Sequence, residues 1–141
     1  MTIYESIVMA RLLSKPHIFI RPQYSIRDNN GQEWSCPDFI ALNFIDKSIY
    51  VVEVTTAYSP VSLKGKIVDR ENQWNMKLKE QLLNDNIIDE KWVKIFILAF
   101  VRESAMKVFI EEFRNSPDVK IFSLEGLGSP WNWNENPFFD T

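Results

Sequence analysis

The sequence predicts an α/β fold: a central mixed β-sheet flanked by helices on both faces, with an αβββαβ core. Two observations carry that expectation. The apolar pattern switches between helical and alternating periods in the order α-β-β-β-α-β-α-β, which mixes a strand meander with crossover units. The two strands at the centre of that order are also apolar on both faces. Phe39, Ala41, Val52 and Val54 alternate with Ile40, Leu42, Ile49 and Val51, so neither face of the sheet can be left to solvent.

Taken in order, "IYESIVMARLLSK" places Ile3, Ile7, Val8 and Leu12 at helical spacing, and Pro16 stops the helix. "HIFIRPQYSIR" reads as a strand whose Pro22 marks an edge or a bulge, and Asp28 to Gly31, "DNNG", supplies hairpin-turn chemistry. Two strands follow, Pro37 to Phe44 and Ser48 to Ala57. A long helix is expected from about Leu63 to Asn84, with Ile67, Trp74, Leu78 and Leu82 on its apolar stripe. A buried strand through "VKIFILAFV", a helix around Glu103 to Arg114 and a strand near Val119 to Leu124 complete the order.

Composition bounds the function. A chain of 141 residues, 45% hydrophobic and 25% charged, can close one continuous core, and without repeat or linker it reads as a single domain over residues 1–141 with an aromatic tail at 126–141. The apolar run from Trp92 to Val101 is too short for a bilayer and contains a lysine. The N-terminus lacks a signal-peptide pattern, so the expectation is a cytoplasmic protein with no membrane partner. One cysteine, Cys36, and one histidine, His17, exclude a disulfide framework and a His/Cys zinc site. Both read as packing residues, and any metal would take oxygen ligands. At a net charge of −3, binding to a polyanion needs a local basic patch or metal ions.

The residues that ask for a function are the acids inside "CPDFIALNFIDKSIYVVEVTTAY". If the hairpin closes around Asp46 and Lys47 with an even loop, Ile40 faces Glu53 and Asp38 faces Thr55, and Asp38, Glu53 and Thr55 share one face. Neighbours on adjacent strands lie roughly 5 to 8 Å apart, within reach of one divalent cation. A cation would offset the cost of holding two carboxylates ionised at the end of an apolar sheet, and pairing with Lys or Arg at an open strand end would do the same.

Pro37-Asp38, a fourteen-residue gap and Glu53-Val54-Thr55 at the end of an apolar strand resemble the PD-(D/E)xK nuclease signature, in an element order similar to that superfamily's core. The resemblance covers roughly Met1 to Val101. It implies a restriction-endonuclease-like fold, DNA as substrate with RNA as the alternative, and Mg²⁺ or Mn²⁺ held by Asp38, Glu53 and the Val54 carbonyl. Thr55 stands where the family has its lysine, and a hydroxyl can orient water but supplies no positive charge. In some members that role moves to the following helix. Here Lys66, Arg70, Gln73 and Lys77 fall at helical spacing on what would be one face, which also suits an ordinary solvated face. Gln73 resembles the helix glutamine of the RecB-like branch, and Lys77 is the first choice for the replacement cation. Glu5 could match an acidic residue that many members place near the metals. Trp131, Trp133, Phe138 and Phe139 in the tail suit base stacking or a subunit contact, and a homodimer is expected because cutting both strands of a duplex takes two sites. The alternative is a nuclease-fold domain that has lost catalysis and serves as a nucleic-acid-binding or protein-interaction module.

Overall fold

The computed structural model describes residues 2–71 and 74–128. The chain begins with helix α1 (Ile3–Leu12), opened by a capping box in which Thr2 and Glu5 each satisfy the other's backbone N–H. Seven strands and three more helices follow: β1 (Ile18–Pro22), β2 (Ile26–Arg27), β3 (Glu33–Ser35), β4 (Phe39–Asn43), β5 (Ser48–Val54), α2 (Val61–Val68), α3 (Trp74–Asn84), β6 (Lys94–Val101), α4 (Glu103–Glu112) and β7 (Val119–Ser123). A short 3₁₀ turn covers Glu125–Gly128.

Five strands form one mixed sheet in the order β1-β4-β5-β6-β7. The first three are antiparallel neighbours, and β5, β6 and β7 run parallel, each parallel step spanned by helical crossovers. The expected α/β architecture is therefore the observed one. Side-chain alternation splits the core as the sequence indicates. Phe39, Ala41, Tyr50 and Val52 pack with Val8 and Leu12 of α1 on one face. Ile40, Leu42, Ile49 and Val51 pack with Leu63 and Ile67 of α2, Leu78 and Leu82 of α3, and Phe109 of α4 on the other. Burying both faces of β4 and β5 leaves little polar character along either strand, so an acid at their ends stands out.

Three local expectations change. The single long helix is two, α2 and α3, because Arg70 turns inward instead of continuing the helix. Its guanidinium bonds the Ile67 carbonyl at 2.8 Å and grips Asp118 through two N–H groups, at 2.6 and 2.9 Å. The Trp74 indole N–H then satisfies the Lys66 carbonyl at 2.8 Å, a partner for an orphan carbonyl in the last turn of α2. Lys66, Arg70 and Lys77 consequently do not share a helix face, and Gln73 lies outside the described residues. The strand expected from His17 to Arg27 is also split. β1 is an edge of the main sheet, while β2 pairs with the short β3 in a separate hairpin. Its turn is held by Asp28, whose carboxylate accepts from the Asn30 and Gln32 amides, with Gly31 at φ 77°. Finally, Cys36 is exposed instead of packed.

Candidate functional site

The site is built at the open end of the β4–β5 hairpin. At the closed end, Asn43 pairs with Ser48 across a four-residue loop, and the Asn43 side chain accepts from the Ile45 and Asp46 amides at 3.0 and 3.2 Å. That turn sets Phe39 opposite Val52 and Ile40 opposite Val51, two residues away from the expected pairing of Ile40 with Glu53 and Asp38 with Thr55. An even slip keeps every side chain on its face. Continued by one step, the observed register puts Asp38 directly across from Glu53, a closer pairing than the sequence suggested.

Beyond the last backbone rung, the Asp38 carboxylate itself accepts the Val54 N–H at 2.7 Å. The Asp38 carbonyl meanwhile accepts from Gln23, a non-glycine residue held at φ 50° as the chain leaves β1. On the other side of β5, Thr55 N–H goes to the Phe100 carbonyl at 3.0 Å. Backbone groups of successive strand residues point to opposite sides, so the Val54 carbonyl lies on the Asp38 side of β5.

Two further charged groups reach this end. Lys66, from α2, places its ammonium 2.5 Å from a Glu53 carboxylate oxygen, with both side chains largely buried. Glu5, from α1, shares a hydrogen bond with Asp38. Lys66 thus acts on Glu53 and Asp38, with Glu5 a third acid beside Asp38. Burial pushes the Glu53 carboxyl up to about 7 against the opposing pull of Lys66, with the charges of Asp38 and Glu5 adding to the rise. Burial also raises Asp38, partly offset by the Val54 N–H, and the hydrogen bond with Glu5 raises it further. Glu5 is lowered, first by the Thr2 backbone N–H of its capping box. Around these groups opens a cleft of about 430 Å³ lined by Asp38, Glu53, Val54, Thr55, Pro60 and Lys66, among others.

Comparison with known protein families, curated proteins and solved structures finds no match. The site therefore rests on its own residues.

Of the residues singled out in the sequence, Asp38, Glu53, Val54 and Thr55 come together. The Thr55 hydroxyl accepts the Ala57 N–H at 3.2 Å and keeps its own proton to donate into the cleft. Lys77 stands elsewhere. Its ammonium bonds Asn29 at the tip of the β2–β3 hairpin and lies 3.9 Å from Glu80, lining a separate polar cleft with Arg21, Arg27 and Gln81. The break between α2 and α3 redirects the second helix, so the cation beside the acids is Lys66 and Lys77 faces this other cleft. Arg70 is committed to Asp118. Gln73 and the tail aromatics Trp131, Trp133, Phe138 and Phe139 lie outside the described residues.

Among the described residues no set of three or more His, Cys, Asp or Glu side chains stands ready to enclose a metal. Two opposed carboxylates and a backbone carbonyl suit Mg²⁺ nonetheless, since that ion usually keeps several waters and takes only one or two carboxylates from protein. The donor set fits a hard divalent cation held half by protein and half by solvent or substrate. No helix among the described residues is long and apolar enough to cross a membrane.

Proposed function

We propose that this chain is a metal-dependent endonuclease of the PD-(D/E)xK kind, hydrolysing phosphodiester bonds of DNA. One observation carries the reading: Asp38 and Glu53 meet at the open end of a two-faced buried sheet, with Lys66 paired to Glu53 and Glu5 a third acid beside Asp38. That excess of negative charge is what a divalent cation would balance, and the bound cation would in turn draw the phosphate. Asp38, Glu53 and the Val54 carbonyl would hold Mg²⁺ or Mn²⁺. When bound, that ion polarises the phosphate and lowers the pKa of a coordinated water. The Lys66 ammonium supplies the positive charge that the family's strand lysine would have brought, set against the charge that develops on the pentacovalent phosphate. Thr55 donates its hydroxyl proton to orient the water or a phosphate oxygen. A homodimer would give the two sites that a duplex cut requires.

The second reading, a nuclease-fold binding module without catalysis, draws on the same ion pair, because Lys66 already neutralises Glu53 in the structure. Calorimetric titration with Mn²⁺, together with cleavage assays on single-stranded, duplex and branched DNA and on RNA, separates the two. The endonuclease reading expects metal binding that Asp38→Ala abolishes, and nicked or shortened products with 5′-phosphate ends. Nucleic-acid binding without any metal-dependent cut would leave only the module.

A further inference from the structure

The loop after β5 carries a feature that phosphodiester hydrolysis alone does not use. Tyr58 is 76% exposed, although it follows directly on the candidate site. Its neighbours Ala57 and Ser59 line the carboxylate cleft, and Ser59, Pro60 and Val61 form a wall shared with a second, smaller cleft of about 170 Å³. That second cleft lies between the loop and α4, with Tyr58, Ala105, Val108 and Phe109 as its apolar lining and Ser59, Lys64 and Ser104 as its polar groups. The Tyr58 ring does not hang free. Arg102 lies over it at 4.3 Å from guanidinium to ring centroid, and the same guanidinium is tied to the Thr56 carbonyl. One face of the ring is therefore backed by a fixed cation, and the rest faces solvent.

A tyrosine fixed on one face, open on the other and set at the rim of a phosphate-handling cleft has the form of a stacking platform. The adjoining slot is too small for a whole ligand, since such pockets run to roughly 300 to 1,000 Å³. A single ring system suits it. We infer that Tyr58, backed by Arg102, stacks the nucleobase adjacent to the scissile phosphate after that base has left its neighbours, with the slot against α4 receiving its edge. This inference rests on the proposed nuclease reading and deepens it. The segment held at Tyr58 is single-stranded or frayed, because a base paired inside a duplex does not present a free face to Tyr58, so a dimer acting on a duplex would cut where its strands open.

The test uses the full chain and a single-stranded DNA oligonucleotide carrying 2-aminopurine, in Ca²⁺ buffer so that binding is read apart from cutting, and a Mn²⁺ cleavage assay in parallel. Stacking on Tyr58 is expected to change the 2-aminopurine fluorescence at one position of the oligonucleotide. Tyr58→Ala should abolish that change and weaken binding by on the order of tenfold or more, while Tyr58→Phe keeps both. Because the side chain is exposed, the melting temperature of either variant should stay that of the wild type, and Glu53→Gln should bind and stack while failing to cut. If the wild type cuts but Tyr58→Ala binds and stacks unchanged, or if duplex is cut as readily as single strand, the platform is overturned and the nuclease reading stands. If the wild type neither binds nor cuts any oligonucleotide, both fall.

Discussion

Two ion pairs begin four residues apart in the sequence and end in different chemistry. Lys66 meets Glu53 at 2.5 Å and Arg70 meets Asp118 at 2.6 Å, with comparable burial of the side chains. Around Arg70 the account closes: two guanidinium N–H groups reach the two carboxylate oxygens, a third reaches a backbone carbonyl, and the pairing holds the arginine's pKa up. Around Lys66 it does not close, because the ammonium pairs with Glu53 while the charges of Asp38 and Glu5 also bear on that carboxyl. Distance and burial alone do not tell a structural pair from a reactive one. The two pairs differ instead in the like charge around them.

The sharpest way to break the comparison is to cut the closed pair. Arg70→Met strands Asp118 and unlocks the turn between α2 and α3, and the expected loss is about 3 kcal/mol of folding stability, read by chemical denaturation. Activity per folded molecule should change little. Cutting the open pair should do the reverse. Lys66→Met is expected to lower cleavage on the order of a hundredfold, equivalent to about 3 kcal/mol of barrier, while calorimetry still finds the metal. Thr55→Lys placed in the Lys66→Met background should return part of the lost rate by restoring the cation to the strand. Failure of Lys66→Met to slow cleavage would remove the lysine from the mechanism.

A gentler probe is pH. The folded Glu53 carboxyl, at about 7, lies above its ordinary value of 4.5, so between those values the native state binds more protons than the unfolded chain. The stability this contributes is full below about pH 4.5 and is lost as pH rises through about 7. Denaturation midpoints should therefore fall across that window in the metal-free protein, and Glu53→Gln should flatten the slope. Metal needs the ionised carboxylate, so Mn²⁺ affinity should rise over the same window. The smallest effect is expected for Lys77→Ala, which gives up contacts to Asn29 and Glu80 away from the cleft and should leave cleavage within about twofold of wild type.

The sheet and its two faces are legible because Phe39 to Leu42 and Ile49 to Val52 are apolar on both faces, and the even slip in register left Asp38 and Glu53 on the face the alternation assigns. The pairing itself was not legible, since it depends on Asn43 folding its side chain over the turn. Lys66 is legible as a helical cation but not as the one beside Glu53, because the stripe Ile67, Trp74, Leu78, Leu82 runs on as if one helix carried it. The signal that breaks the helix is the inward turn of Arg70 toward Asp118, a partner 48 residues away that no local pattern displays. Glu5 was readable as a cap, since Thr2 precedes it at the capping-box spacing. Its second contact, with Asp38, comes from a neighbour distant in sequence.

The hydrogen bond from Val54 to the Asp38 side chain has a thermodynamic consequence. Where the ladder between β4 and β5 ends, a carboxylate takes the place of the next rung and clasps the strand ends that would otherwise fray. Asp38 and the end of β5 are thus ordered without any ligand. Entropy that a loose site would lose on binding has already been given up during folding, so a weakly held, mostly hydrated cation could still find a defined seat. In such an arrangement Asp38 is architecture as well as charge. Asparagine at this position would keep an oxygen for the Val54 amide, preserving the clasp while removing the negative charge.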